Sequence, residues 1–105
     1  INFNNDRIII NKGFFNAESI NKMNLPNTVS FAYLDFDFYQ PTLDGLNYLN
    51  NVLSVGGIII VDDYDFFSTG VKTSVDEWFK INSKSFNKKI MKTKSASFAI
   101  LERVY

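Results

Sequence analysis

The chain has 105 residues, 11 Lys and Arg against 11 Asp and Glu, and no His or Cys. That length suits one small domain or part of a larger one, and a chain this size buries roughly 60–70% of its unfolded surface. Balanced charge excludes the strongly basic footprint of a nucleic-acid binder, and no apolar run reaches membrane-span length. Without Cys there is no disulfide framework, thiol nucleophile or zinc–cysteine site.

The content is 46% apolar and 16% aromatic, with 11 Phe and 5 Tyr, which favours a folded chain with an aromatic-rich core. No signal peptide is visible, and a cytoplasmic setting is the expectation. The missing His removes the commonest general base near neutral pH. Charge is unevenly placed. Six acids and no Lys or Arg lie from Asp35 to Asp65, and six Lys and no acids from Lys80 to Lys94. The acidic stretch fits a cation site. The Lys are scattered rather than interleaved with aromatics, so they read as a solvated surface.

In chain order, Ile8-Ile9-Ile10 is a β-branched run that predicts a buried strand over Arg7–Asn11. Asn11-Lys12-Gly13 reads as a turn, and Ala17, Ile20 and Met23 mark a short helix stopped by Asn24-Leu25-Pro26-Asn27. Val29 to Leu34 is apolar on both faces apart from Ser30, as expected of a strand covered by helices on both sides. Pro41 suits a first helical position, and Leu43, Leu46, Leu49 and Leu53 then recur at helical spacing. Gly56-Gly57 reads as the helix cap and turn. Ile58 to Val61 is the most strand-like run. A loop follows over Asp65–Thr69, in which Phe66 and Phe67 face a substrate or pack under the next helix. Val71, Val75, Trp78 and Phe79 mark that helix, and Lys89–Lys92 and Phe98–Val104 predict a closing antiparallel hairpin around Ser95-Ala96-Ser97.

The alternation predicts an α/β three-layer fold. Its centre is the βαβ unit from Val29 to Tyr64. The two strands should run parallel, and ligands in such sheets bind beyond the carboxyl ends of the strands. Asp35, Asp37, Asp62 and Asp63 gather there. Crowded carboxylates repel and gain protons unless a cation intervenes, and an all-oxygen donor set favours Mg²⁺, Ca²⁺ or Mn²⁺. The competing reading is that these Asp residues cap helices and shape turns.

Gly13-Phe14-Phe15, Leu34-Asp35-Phe36-Asp37-Phe38-Tyr39 with Pro41-Thr42, Gly56-Gly57 through Asp62-Asp63-Tyr64, Gly70-Val71, and Val75 to Phe79 together resemble the macrocin O-methyltransferase family. The resemblance implies a Rossmann-like methyltransferase sheet, mostly parallel with a C-terminal antiparallel hairpin. It implies an S-adenosylmethionine-dependent, Mg²⁺-dependent enzyme that methylates a hydroxyl of a sugar or sugar-containing natural product. By this resemblance Asp35, Asp62 and Asp63 hold the metal, with Asp35 also catalytic. Asp37, Tyr39 and Tyr64 then stand behind the metal ligands or contact the substrate. Donor binding in such folds uses a glycine-rich turn, and Gly occurs here only at 13, 45, 56, 57 and 70. The expectation is therefore a single partial domain, the C-terminal half of a methyltransferase. Most of its S-adenosylmethionine site would lie outside residues 1–105. The edge of strand Val29–Asp35 would be bare and open to pairing with another copy.

Three other readings compete. Asp35-Phe36-Asp37 fits the DxD motif of metal-dependent glycosyltransferases, which leaves Asp62-Asp63 unexplained. Haloacid dehalogenase-type phosphatases need a Lys between the acidic motifs, and none lies between Met23 and Val71. A non-catalytic half-domain that pairs with another chain is the third.

Overall fold

The computed structural model describes residues 7–65 and 69–105. Phe66 and Phe67, read as loop aromatics, lie outside the described residues. The elements are α1 (Ala17–Ile20), β1 (Val29–Leu34), α2 (Tyr39–Val52), β2 (Leu53–Asp62), α3 (Gly70–Asn82), β3 (Phe86–Lys92) and β4 (Ser97–Arg103). One four-stranded sheet has the order β1-β2-β4-β3. β1 and β2 pair in parallel, while β4 runs antiparallel to both β2 and β3. Three strands thus share a direction, and the expected terminal hairpin is present.

α2 forms on its Leu repeat. Leu46 and Leu49 are buried and Leu43 is half-buried against the core. The helix begins two residues before Pro41, which still falls in the first turn, where backbone N–H groups have no intrahelical partner. α3 buries Val71, Ser74, Val75 and Trp78, and the Trp78 ring meets Phe86 edge-on at 4.8 Å. These residues form one core with Ile59, Val61, Ala99 and Leu101, all on the same side of the sheet.

Three sequence expectations differ from the structure. Ile8, Ile9 and Ile10 form no strand and are 50–79% exposed; they pair with neither edge strand of the sheet. Gly56-Gly57 does not end α2. The helix stops at Val52, Leu53 turns straight into β2, and Arg103 donates to the Asn50 and Leu53 carbonyls at 2.8 and 3.0 Å. A cation on the last carbonyls suits the negative end of the helix dipole and closes the junction without glycine. The two glycines instead make a kink inside β2. Gly56 is left-handed (φ 85°), and the register jumps from Val29↔Leu53 to Phe31↔Ile58. A Cβ on Gly57 would lie 2.7 Å from the Ser54 carbonyl oxygen and 2.8 Å from the Leu53 side chain.

The third difference concerns the layers. The described core residues occupy one face of the sheet. The other face presents Phe31, Tyr33, Ile58, Ile60, Phe98 and Ile100, none of which joins the core. Among the described residues no second helical layer covers that face, so the expected three layers are two there. β1 lies at the sheet edge, and its free side carries no strand among the described residues. No helix among them is long and apolar enough to cross a membrane.

The β2 kink sets the register from Phe31↔Ile58 through Leu34↔Val61, so it can be tested directly. Gly57→Ala should lower stability by roughly 1–3 kcal/mol through overpacking against backbone, measured as a lower urea midpoint with an unchanged slope.

Candidate metal centre

The register Leu34↔Val61 places the ends of β1 and β2 side by side. The chain continues from β1 through Asp35, Phe36 and Asp37 before α2 starts. Phe36 turns inward, stacks on Phe15 at 4.8 Å and packs against the core. Gly45 lets α2 approach it, since a Cβ there would lie 3.3 Å from Phe36 and Leu34. With Phe36 held inside, Asp35 stays exposed and Asp37 half-buried at the rim. Thr42 donates its hydroxyl to the Phe38 carbonyl at 2.7 Å, closing the first turn of α2.

Two residues here carry a left-handed backbone without being glycine: Asp37 (φ 64°) and Asp63 (φ 53°). Asp tolerates this region better than most residues, yet it still costs energy and persists where surrounding contacts enforce it. Both residues lie at the sheet's carboxyl edge. Carboxylate oxygens of Asp35, Asp37 and Asp63 lie within 4.8 Å of one another. Oxygens sharing a cation at about 2.0–2.6 Å can be at most about 4–5 Å apart, so the spacing fits a hard divalent ion. The all-carboxylate donor set points the same way.

The electrostatics are those of crowded like charges. Desolvation first, then the Asp62 and Asp37 charges, raise the Asp35 carboxyl above its ordinary range. Asp63 is raised by desolvation, then by Asp62, by hydrogen bonding with Asp37, and by the charges of Asp37 and Asp35. In each case the ionised form is disfavoured, and a cation relieves the cost.

Asp62 is not a member of the close group. One of its oxygens accepts the Asp63 backbone N–H at 2.9 Å. The same strand ends include Tyr33, a residue the sequence reading passed over. Hydrogen bonding to Asp62, partial burial and the surrounding Asp62, Asp35 and Asp63 charges push the Tyr33 phenol up to about 12. The period-two alternation of β1 holds the signal, because Tyr33 shares a face with Asp35 and pairs with Ile60, two residues before Asp62.

Tyr39 and Tyr64 point elsewhere. Tyr39 donates to Glu77 at 2.6 Å, tying the start of α2 to α3. Tyr64 is buried and donates its phenol to Asp76 on α3. Asp76 also accepts from Lys72 at 2.8 Å and from Lys88 of β3 at 3.1 Å. Burial pushes the Asp76 carboxyl up, but these hydrogen bonds from Lys72, Tyr64 and Lys88 outweigh it and hold it below the ordinary range. A groove of about 250 Å³ lined by Ala17, Asp44 and Tyr48 lies between α1 and α2, away from the carboxylates.

Fold and site together define a Rossmann-like α/β domain with an acidic strand-end crevice, and solved structures share that fold. A protein described as an rRNA methylase from Clostridium thermocellum superposes with TM-score 0.65 and 18% identity, covering 85% of this chain and 54% of its own. An rRNA methylase from Streptococcus thermophilus gives 0.61 and 18%, with the same coverage. The chain thus spans about half the length of either structure. No curated protein matches its sequence. Residues 1–96 match the macrocin-O-methyltransferase (TylF) family, and the chain belongs to it.

The two kinds of carboxylate should titrate with opposite signs. Asp35 and Asp63 have raised folded-state pKa values, so their repulsive cost is present at neutral pH and fades as pH falls through the carboxylate range. Asp35→Asn without divalent ions should therefore leave thermal stability equal or higher at pH 7, with the gap to wild type closing toward pH 4. Asp76 has a lowered value, so its contribution is present above the unfolded carboxylate pKa and is lost as pH falls through the folded one. Asp76→Asn should lower the melting temperature at pH 7 and matter less in acid. Thermal melts of both variants across pH check the two signs.

Proposed function

We propose that the protein containing this chain is a divalent-cation-dependent, S-adenosylmethionine-dependent O-methyltransferase. Its acceptor is a hydroxyl of a sugar or a sugar-containing natural product. The observation that carries the reading is the convergence of carboxylates from two adjacent strand ends in a member of the macrocin-O-methyltransferase family. Asp35 and Asp63 are common to the family resemblance and to the distances. The third carboxylate separates two arrangements, Asp62 by the resemblance and Asp37 by the distances.

A bound Mg²⁺ would supply Lewis acidity and a template for two neighbouring acceptor oxygens. The chain's own part is mainly orientation. Asp35 and Asp63 fix the acceptor hydroxyl at the crevice mouth, so that its oxygen lines up with the donor methyl. The new bond joins that oxygen to the methyl carbon as the carbon–sulfur bond breaks. Among the residues of this chain a rim carboxylate, or water beside it, is placed to take the hydroxyl proton. Most of the donor pocket is assigned to sequence outside these residues. Two facts support this: the chain has no glycine-rich turn opening a helix, and it spans about half the length of the structures it matches. A reaction drawing on S-adenosylmethionine suits a cytoplasmic setting. Self-association through the free edge of β1 belongs to the same proposal, supported by that edge's exposed Phe31 and Tyr33.

Methyl transfer from S-adenosylmethionine to sugar hydroxyls, assayed in the complete protein with and without a chelator, tests the reading. Asp35→Asn and Asp63→Asn should each lower kcat/KM by at least about 100-fold, beyond the 10- to 100-fold typical of residues behind a metal ligand. Whichever of Asp37→Asn and Asp62→Asn matches that loss identifies the third ligand. Full activity in chelator would sink the cation-dependent mechanism.

A further inference from the structure

We propose that the contact between buried Tyr64 and half-buried Asp76, braced by Lys72 and Lys88, is the positioning device of the candidate cation site and sets the Asp63 carboxylate against Asp35 and Asp37. This rests on the reading of the crevice as a cation site and adds residues that bear on it from behind.

Asp63 needs such a device. It must hold a left-handed backbone (φ 53°) while its carboxylate crowds two others. Both the strain and the repulsion favour a turn that relaxes away from the crevice. Asp62 restrains Asp63 from the N-terminal side by accepting its N–H. On the C-terminal side the restraint falls on Tyr64, which is fixed at both ends. Its backbone N–H donates to the Ser97 carbonyl at 3.1 Å, at the first residue of β4. Its ring is 4% exposed, and its phenol donates to Asp76.

Asp76 is itself anchored from two elements. Lys72 reaches it along α3 at 2.8 Å, and Lys88 reaches it from β3 at 3.1 Å. Lys72 also lies 5.2 Å from the centre of the Tyr64 ring, within range of a cation–π contact. Tyr64 is therefore held by β4, α3 and β3 together, and a side chain so fixed leaves its preceding residue little room to rotate. Charged hydrogen-bond partners also resist rearrangement more than neutral ones. Asp76 touches none of the close carboxylates. Its effect on them runs through Tyr64, so it acts as a positioning residue.

Binding of Mg²⁺ and Mn²⁺ to the complete protein, titrated by calorimetry well below the melting temperature, tests this without reference to turnover. Tyr64→Phe keeps the ring and loses only the phenol bond. Asp76→Asn keeps the volume and loses the charge. Each should weaken cation affinity by about 10- to 100-fold, the range seen when partners behind a metal ligand are removed. The double variant should be no weaker than the worse single one, because both act through one bond. A role confined to stability would lower the melting temperature and leave affinity unchanged. If wild type binds the cations and Asp63→Asn abolishes binding, while Tyr64→Phe and Asp76→Asn bind as wild type does, the positioning role is overturned alone. If wild type binds neither ion, the cation reading falls and the positioning role falls with it.

Discussion

The parallel pairing of β1 with β2 is the constraint on which the rest depends. It needs a crossover, which α2 supplies, and it needs the two strands to end level, which the register Leu34↔Val61 provides. Once both hold, the residues at the two strand ends, Asp35 and the Asp62-Asp63 pair, come to one end of the sheet, and the left-handed turn at Asp63 completes the approach. The core under α2 and α3 stabilises this arrangement by apolar burial. The carboxylates oppose it. The favourable burial and the unfavourable crowding sit on opposite sides of one strand end, which is a common layout where stability is given up for chemistry.

Two kinds of electrostatic grouping stand within a few residues of each other. At the rim, carboxylates crowd one another, and the proton affinities of Asp35 and Asp63 rise. Behind the rim, one carboxylate meets two Lys and a phenol, and its proton affinity falls. The second grouping needs nothing further to be satisfied. The first would be relieved by a cation or a proton.

Much of this was legible in the sequence, for reasons that differ by element. The Leu spacing of α2 and the Val71, Val75, Trp78 face of α3 follow from burying one side of a helix. The acid crevice was legible because an apolar run ending in Asp implies a strand that stops at a ligand edge. What was hidden depends on contacts between distant residues. Ile8-Ile9-Ile10 has strand composition, but composition does not supply a partner edge. Gly56-Gly57 reads as a helix stop until Arg103, 50 residues on from Leu53, closes the α2 carbonyls instead. Asp37 joins the close group through a left-handed backbone that no local pattern announces, while Asp62 accepts the Asp63 backbone N–H. The Tyr64–Asp76 contact joins a loop to a helix across 12 residues and has no period to betray it.

The strand order carries a consequence for how the molecule is made. β4 is the last described element in sequence, yet it lies inside the sheet, between β2 and β3. Among the described residues β3 pairs with β4 alone, and Ile60 meets Ile100 across 40 positions. Synthesis delivers residues at about 5–20 per second, so the 11 residues that follow Lys92, through Arg103, take roughly 0.5–2 s, and β3 waits that long for its partner. During that interval β1 and β2 are the two of the four described strands that can pair. Residues 97–103 then close the remainder in one step, and they bring the Ser97 carbonyl to Tyr64. The turn bearing Asp63 is therefore among the last parts of the domain to take its final shape.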